Sequence, residues 1–215
     1  MKHLDIPNWN RKEHFEFFSR MEEPYFGICL DVDVTKAYDF CKSNDISFFV
    51  YYHYLSTKAV NEVEAFKYRI DGEQVLIHDI IHVNTIVIRK DTSFCFTYIQ
   101  YTPDFTIFEQ NALQRIAEVE QTAGIGLSKN TSRPDAIHYS AIPWIKFTGL
   151  THARSYSFPD SVPKISFGKI YQEGTQRKMP LAVYVHHGLI DAYHVGLYVD
   201  CFQELLNNNT VDGGR

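Results

Sequence analysis

The sequence predicts a mixed α/β fold in one domain spanning residues 1–215, and three observations support this. Short runs rich in Val, Ile, Thr, Phe and Tyr alternate with segments whose apolar residues recur at helical spacing. Asp71-Gly72 lies between two such runs and marks a hairpin. With 215 residues, 45% hydrophobic and 22% charged, the chain can bury one sizeable core.

Residues 10–19 read as the first helix, with Phe15, Phe17 and Phe18 as apolar surface. Arg11 stands in its first turn, where a positive charge mildly opposes the helix dipole and exposure to solvent is the plain reason for it. Residues 26–34 read as a strand with Leu30, Val32 and Val34 on one side. Residues 34–44 and 48–63 read as helices, the second aromatic enough to be buried. Strands at 66–70 and 74–77 flank the Asp-Gly turn, and 81–89 and 93–100 add two more. The best amphipathic helix is 105–123, with Phe108, Ala112, Ile116 and Val119 on one stripe and Leu113 beside it. Residues 124–133 are a loop, and 137–148 a strand carrying Ser140 and Trp144. The serine-rich stretch 152–164, with two prolines, reads as a surface or pocket loop. Residues 165–172 and 181–185 form a hairpin around 173–178, and 207–215 is a polar tail.

The most informative stretch is 179–206. Its strand ends in His186 and His187, and after Gly188-Leu189-Ile190 comes Asp191 at a helix N-cap position. Val195, Tyr198, Val199, Phe202, Leu205 and Leu206 then share one helix face. Three roles fit the residues. His187 and His194 could be satisfied core histidines, with Asp191 only a cap. His186, His187, Asp191 and His194 could hold a metal, although adjacent strand residues point to opposite faces. His187 could be a general base, since imidazole accepts a proton near neutrality.

Composition narrows the partners. Net charge is −5 with no basic run, which argues against a nucleic-acid backbone. No apolar stretch approaches the roughly 20 residues that span a bilayer, and the first residues lack a signal peptide's apolar core. Cys29, Cys41, Cys95 and Cys201 are scattered in no paired spacing, as reduced cytoplasmic thiols would be. A cytoplasmic protein with no membrane or nucleic-acid partner is expected.

His186-His187-x-x-x-Asp191, between a strand and an amphipathic helix, resembles the signature of the chloramphenicol acetyltransferase family of CoA-dependent acyltransferases. Four further blocks resemble the family in order and spacing. They are Trp9-Asn10-Arg11-Lys12-Glu13-His14-Phe15, Asp71-Gly72-Glu73, Ser140-Ala141-Ile142-Pro143-Trp144 and Gly168-Lys169-Ile170-Tyr171-Gln172-Glu173-Gly174. The resemblance implies a two-layer α/β sandwich with a mixed sheet, assembled as a homotrimer with active sites between subunits. It implies acetyl-CoA as co-substrate, no metal, and a small hydroxyl acceptor such as chloramphenicol. His187 would be the base, Ser140 the oxyanion donor, and Arg11 the partner of Asp191 that holds the turn. Phe18, Glu22 and Phe26 match acceptor-pocket positions, and Ser166 stands where the family has a threonine that positions a water. Lys169 would face CoA phosphates, and His186 and His194 would be structural.

The sequence also departs from the family. Ala192 replaces the glycine after the motif aspartate, Glu22 replaces an apolar residue, and Leu150 and His152 replace an apolar pair. A carboxylate or imidazole facing a nitrophenyl ring carries a desolvation cost. Two other readings share the fold: a dihydrolipoamide acyltransferase core, which would carry lipoyl and linker segments ahead of the Trp9 block, and a non-catalytic small-molecule binder.

Overall fold

A computed structural model describes residues 1–156 and 160–208. The elements run β1 (Lys2–His3), α1 (Lys12–Phe18), β2 (Tyr25–Asp33), α2 (Thr35–Ser43), α3 (Phe48–Glu62), β3 (Tyr68–Asp71), β4 (Gln74–Ile77) and β5 (His82–Ile88). They continue with β6 (Phe94–Ile99), α4 (Phe105–Val119), β7 (Ala136–Ala141), β8 (Lys164–Phe167), β9 (Tyr171–Glu173), β10 (Gln176–His186) and α5 (Ala192–Asn208).

The large sheet has the order β2-β10-β8-β7-β5-β6, with β9 also paired to β10. β5, β7 and β8 run parallel to one another and the other pairs are antiparallel, so the sheet is mixed as expected. A small sheet, β1-β4-β3, flanks it; its two-residue strand β1 was not foreseen.

Period-2 alternation divides the large sheet into two faces. Ile137, Tyr139, Ile165, Phe167, Leu181, Val183 and Val185 face one way and are all buried in the core. The helices cover this face: Tyr52 of α3 and Phe202 of α5 both reach the Phe167 ring, at 4.5 and 6.1 Å. Ser56 and His53, two polar side chains that enter this layer, are paired. Ser56 of α3 links the hydroxyls of Tyr139 (3.0 Å) and Tyr198 (2.7 Å). His53 uses both ring nitrogens, on Phe49 C=O (2.8 Å) and Thr85 Oγ1 (2.9 Å), and burial lowers its pKa to about 4. Among the described residues no helix covers the other face; loop residues 142–156 and 160–163 run over part of it.

Three expectations need correction. The strand at 137–148 stops at Ala141, because Pro143 has no N–H for a ladder and Ile145 N–H turns back to Ile142 C=O (3.3 Å). The strand at 165–172 breaks into β8 and β9 at Gly168, whose N–H bonds Pro180 C=O at 2.8 Å. A Cβ there would come within 2.8 Å of Pro180, so only glycine permits the approach. The hairpin turn after β9 is tighter than residues 173–178: Glu173 pairs with Gln176 around Gly174, which has φ +60°. Leu113 is exposed beside the buried stripe of α4, which Phe105, Phe108, Ala112 and Val119 define, as the spacing predicts. α5 runs to Asn208, and the rest of the polar tail lies outside the described residues. The four cysteines are free, and among the described residues no helix is long and apolar enough to cross a membrane.

Candidate active site

The predicted site residues fall into two groups on one chain. The first surrounds His187, directly after β10. Its N–H bonds Pro24 C=O at 2.8 Å, and its C=O accepts from Arg11 Nη2 at 3.5 Å. The ring stacks on Phe18 (centroids 3.9 Å, interplanar 12°) and packs against Phe26 (4.5 Å). Its Nδ1 is sealed from solvent with no hydrogen-bond partner among the described residues, which leaves Nε2 as the outward nitrogen.

The turn that follows is pinned from both sides. Arg11, the residue capping α1, forms an ion pair with Asp191. Asp191 also caps α5, accepting from the N–H groups of Tyr193 (3.0 Å) and His194 (3.3 Å). Burial alone would raise the Asp191 pKa, but His194 and Arg11 hold it below the ordinary carboxylate value. Ala192 is simply the first residue of α5, and among the described residues the only non-glycine ones with positive φ are Asp45 and Thr92, so the missing motif glycine costs nothing here. His186 points the other way: its Nδ1 accepts from Gly188 N–H (3.1 Å), and burial lowers its pKa to about 4. A side chain on Gly188 would sit 3.0 Å from the His186 ring.

The second group lies on the helix-free face. Cross-strand register places His138 beside Lys164 and Ser140 beside Ser166, with Ala182 and Tyr184 next on β10. A cavity of about 700 Å³ opens here, lined by Ser140, His138, His152, Lys164, Arg154 and Asp160 among others. Ser166 is fully buried, with Oγ 3.5 Å from His152 Nε2. Burial, then the Lys164 charge, pushes His138 down to about 4 and lowers His152.

The chain does not bring the two groups together. Ser140 aligns through Ser166 with Ala182, and His187 lies five residues further along, about 17 Å at strand rise. Of the remaining predicted residues, Glu22 is exposed in the turn between α1 and β2, and Lys169 is exposed at the β8–β9 break.

A family profile described as chloramphenicol acetyltransferase matches residues 1–203. The chain belongs to that family. This chloramphenicol acetyltransferase family member is therefore an acyltransferase. It is similar to the chloramphenicol acetyltransferase of Campylobacter coli, at 27% identity over 95% of this chain and 97% of that protein. Its likeness to the one from Staphylococcus aureus is 30% over 94% of each. A solved structure of a chloramphenicol acetyltransferase superposes with a TM-score of 0.88 at 29% identity, covering 95% of this chain and 99% of that one. A probable dihydrolipoamide acetyltransferase from Listeria monocytogenes shares the fold, with a TM-score of 0.67 at 11% identity over 99% and 97% of the two chains. The two-layer, CoA-dependent acyltransferase-like architecture is thus the observed one.

Sequence reasoning missed Arg154, Asp160, Lys164 and His138. The signal was present in period 2: Lys164 and Ser166 alternate with Ile165 and Phe167, as His138 and Ser140 do with Ile137 and Tyr139.

Proposed function

We propose that the protein transfers the acetyl group of acetyl-CoA to a hydroxyl of chloramphenicol or a related small acceptor. His187 Nε2 takes the hydroxyl proton as the oxygen attacks the thioester carbonyl. Ser140 donates to the oxyanion of the tetrahedral intermediate, and His187 returns the proton to the departing thiolate. The thioester is already activated, so no enzyme nucleophile is needed. Phe18, Phe26 and Glu22 contact the acceptor from the His187 side, and Ser166 supports the wall beside Ser140. Lys169 faces CoA phosphates.

Because His187 and Ser140 are far apart on one chain, the site is completed by a second copy, in a trimer with three equivalent interfaces. The observation that carries this reading is the His187 ring. Stacking and a sealed Nδ1 aim the other nitrogen outward, while Arg11 and Asp191 brace the turn behind it. The relatives named chloramphenicol acetyltransferase, aligned along nearly their full length, favour that acceptor.

Thiol release from acetyl-CoA, with chloramphenicol and other hydroxylated acceptors, tests the activity. His187→Ala should lose at least about 10²-fold in kcat with an unchanged melting temperature, equivalent to about 3 kcal/mol or more of barrier. Ser140→Ala should lose about 10²–10³-fold. Refolding the two inactive variants together should restore about a quarter of wild-type activity, the random fraction of interfaces with both groups intact. No recovery would place the site within one chain.

A further inference from the structure

His187 lies one residue beyond the paired part of β10, because the β2–β10 ladder ends at Tyr25 opposite His186. Two backbone tethers hold it there: its N–H on Pro24 C=O at 2.8 Å, and Arg11 on its own C=O. Phe26, whose ring packs on the imidazole at 4.5 Å, belongs to the same end of β2. That end is poorly supported by the sheet. Among the described residues β2 is an edge strand paired only with β10, and Pro24 has no N–H with which to extend the ladder. Strand ends of this kind fray. Residues 23–26 need a hold from outside the sheet if they are to fix the ring.

Arg154 supplies that hold. It lies in the loop over the helix-free face, and its side chain is only 7% exposed. It forms an ion pair with Glu23 and lays its guanidinium over the Tyr25 ring, 3.7 Å from the centroid. The Glu23 oxygen that it meets also accepts the Tyr25 N–H, at 3.0 Å. Tyr25 is buried, and its hydroxyl donates to Val162 C=O at 3.1 Å, a second link to the same loop. One guanidinium therefore grips both residues that flank Pro24. A planar cation can offer its edge to a carboxylate and its face to a ring at once, which an ammonium cannot. Lys164 lies farther from the Tyr25 ring, at 4.8 Å, and is paired with Asp160 at 2.5 Å.

We infer that Arg154 is a positioning residue for His187: by clamping Glu23 and Tyr25 it fixes the Pro24 carbonyl and Phe26, and through them the imidazole. Two arginines then brace the ring from different sides, Arg11 through Asp191 and Arg154 through residues 23–25. The inference rests on the reading of His187 as the base, and Arg154 acts through the turn without touching the reacting atoms.

The test uses the full-length protein with acetyl-CoA and chloramphenicol. Small misplacements of a catalytic group are costly in rate, so Arg154→Leu should lose about tenfold or more in kcat, with both KM values within about twofold of wild type. Glu23→Gln, which releases the clamp from its other end, should lose part of the same factor. The double variant should be no worse than Arg154→Leu alone, since both changes break one device. Arg154→Lys should recover a part. NMR of histidine-labelled protein adds a readout that needs no turnover. Phe18 stacks on the His187 ring at 3.9 Å, so its ring current displaces the imidazole proton signals, which are assigned by their loss in His187→Ala. That displacement should shrink in Arg154→Leu and in Glu23→Gln. Melting curves and sedimentation check folding and assembly, and Glu23→Gln carries the test if Arg154→Leu is unstable.

An unchanged kcat with unchanged imidazole signals overturns the inference. So does a raised KM for chloramphenicol with kcat preserved, which would make Arg154 an acceptor contact. Losses that multiply in the double variant, or that track dissociation of the assembly, overturn it as well. If His187→Ala keeps its turnover, the base reading fails instead, and the imidazole signals alone decide whether Arg154 places the ring.

Discussion

The two faces of the large sheet are made from the same strands and do opposite work. On the helix-covered face, β8 presents Ile165 and Phe167, and the polar side chains His53 and Ser56 that enter it are hydrogen-bonded within the chain. On the helix-free face the next residues along, Lys164 and Ser166, meet His138, Ser140 and His152 around a cavity. The first face is packed with apolar side chains; the second gathers charged and polar ones at a cavity. One residue of offset in a strand therefore separates a core side chain from one that faces the cavity.

That contrast can be broken by substitution. The largest effect should come from the covered face: Phe167→Ala should cost about 3–5 kcal/mol of stability. Its neighbour on the open face, Ser166→Ala, should cost less than about 1 kcal/mol, since among the described residues its hydroxyl makes only a 3.5 Å hydrogen bond with His152. Chemical denaturation of both variants measures the difference, and equal losses would mean that the faces are not functionally distinct.

A smaller effect belongs to the turn that joins sheet and helix. Asp191→Asn keeps an N-cap but loses the ion pair with Arg11, and activity should fall about tenfold while His187 remains in place. The carboxyl's folded pKa lies below 3.8, so its stabilising contribution is fully present above that value and is lost as pH falls through the depressed one. The gap in melting temperature between wild type and Asp191→Asn should thus be constant near neutrality and close in acid. A gap that does not narrow at any acid pH down to unfolding would show that the carboxylate charge contributes nothing to it.

Much of this was legible along the chain. Helices α3 and α5 and the hairpin at Asp71-Gly72 follow from spacing and turn chemistry, because those signals depend on neighbouring residues. The pinning of Asp191 by Arg11 could be expected only from the family resemblance, since 180 residues separate the partners. The charges around Ser140 were less visible. Arg154 and Asp160 sit in a loop that spacing describes only as polar, and Arg69 in a hairpin strand gives no hint that it is buried.

The sequence by itself determined the order of elements, the residue types at the motif and the family to which they belong, because local periodicity and ordered motifs survive without coordinates. Only the tertiary structure decided that His187 and Ser140 cannot meet on one chain, that Ala192 needs no glycine, and that Arg154 reaches Glu23 and Tyr25. Each of those depends on which strands lie side by side and in what register, and residues distant in the chain encode that jointly through packing.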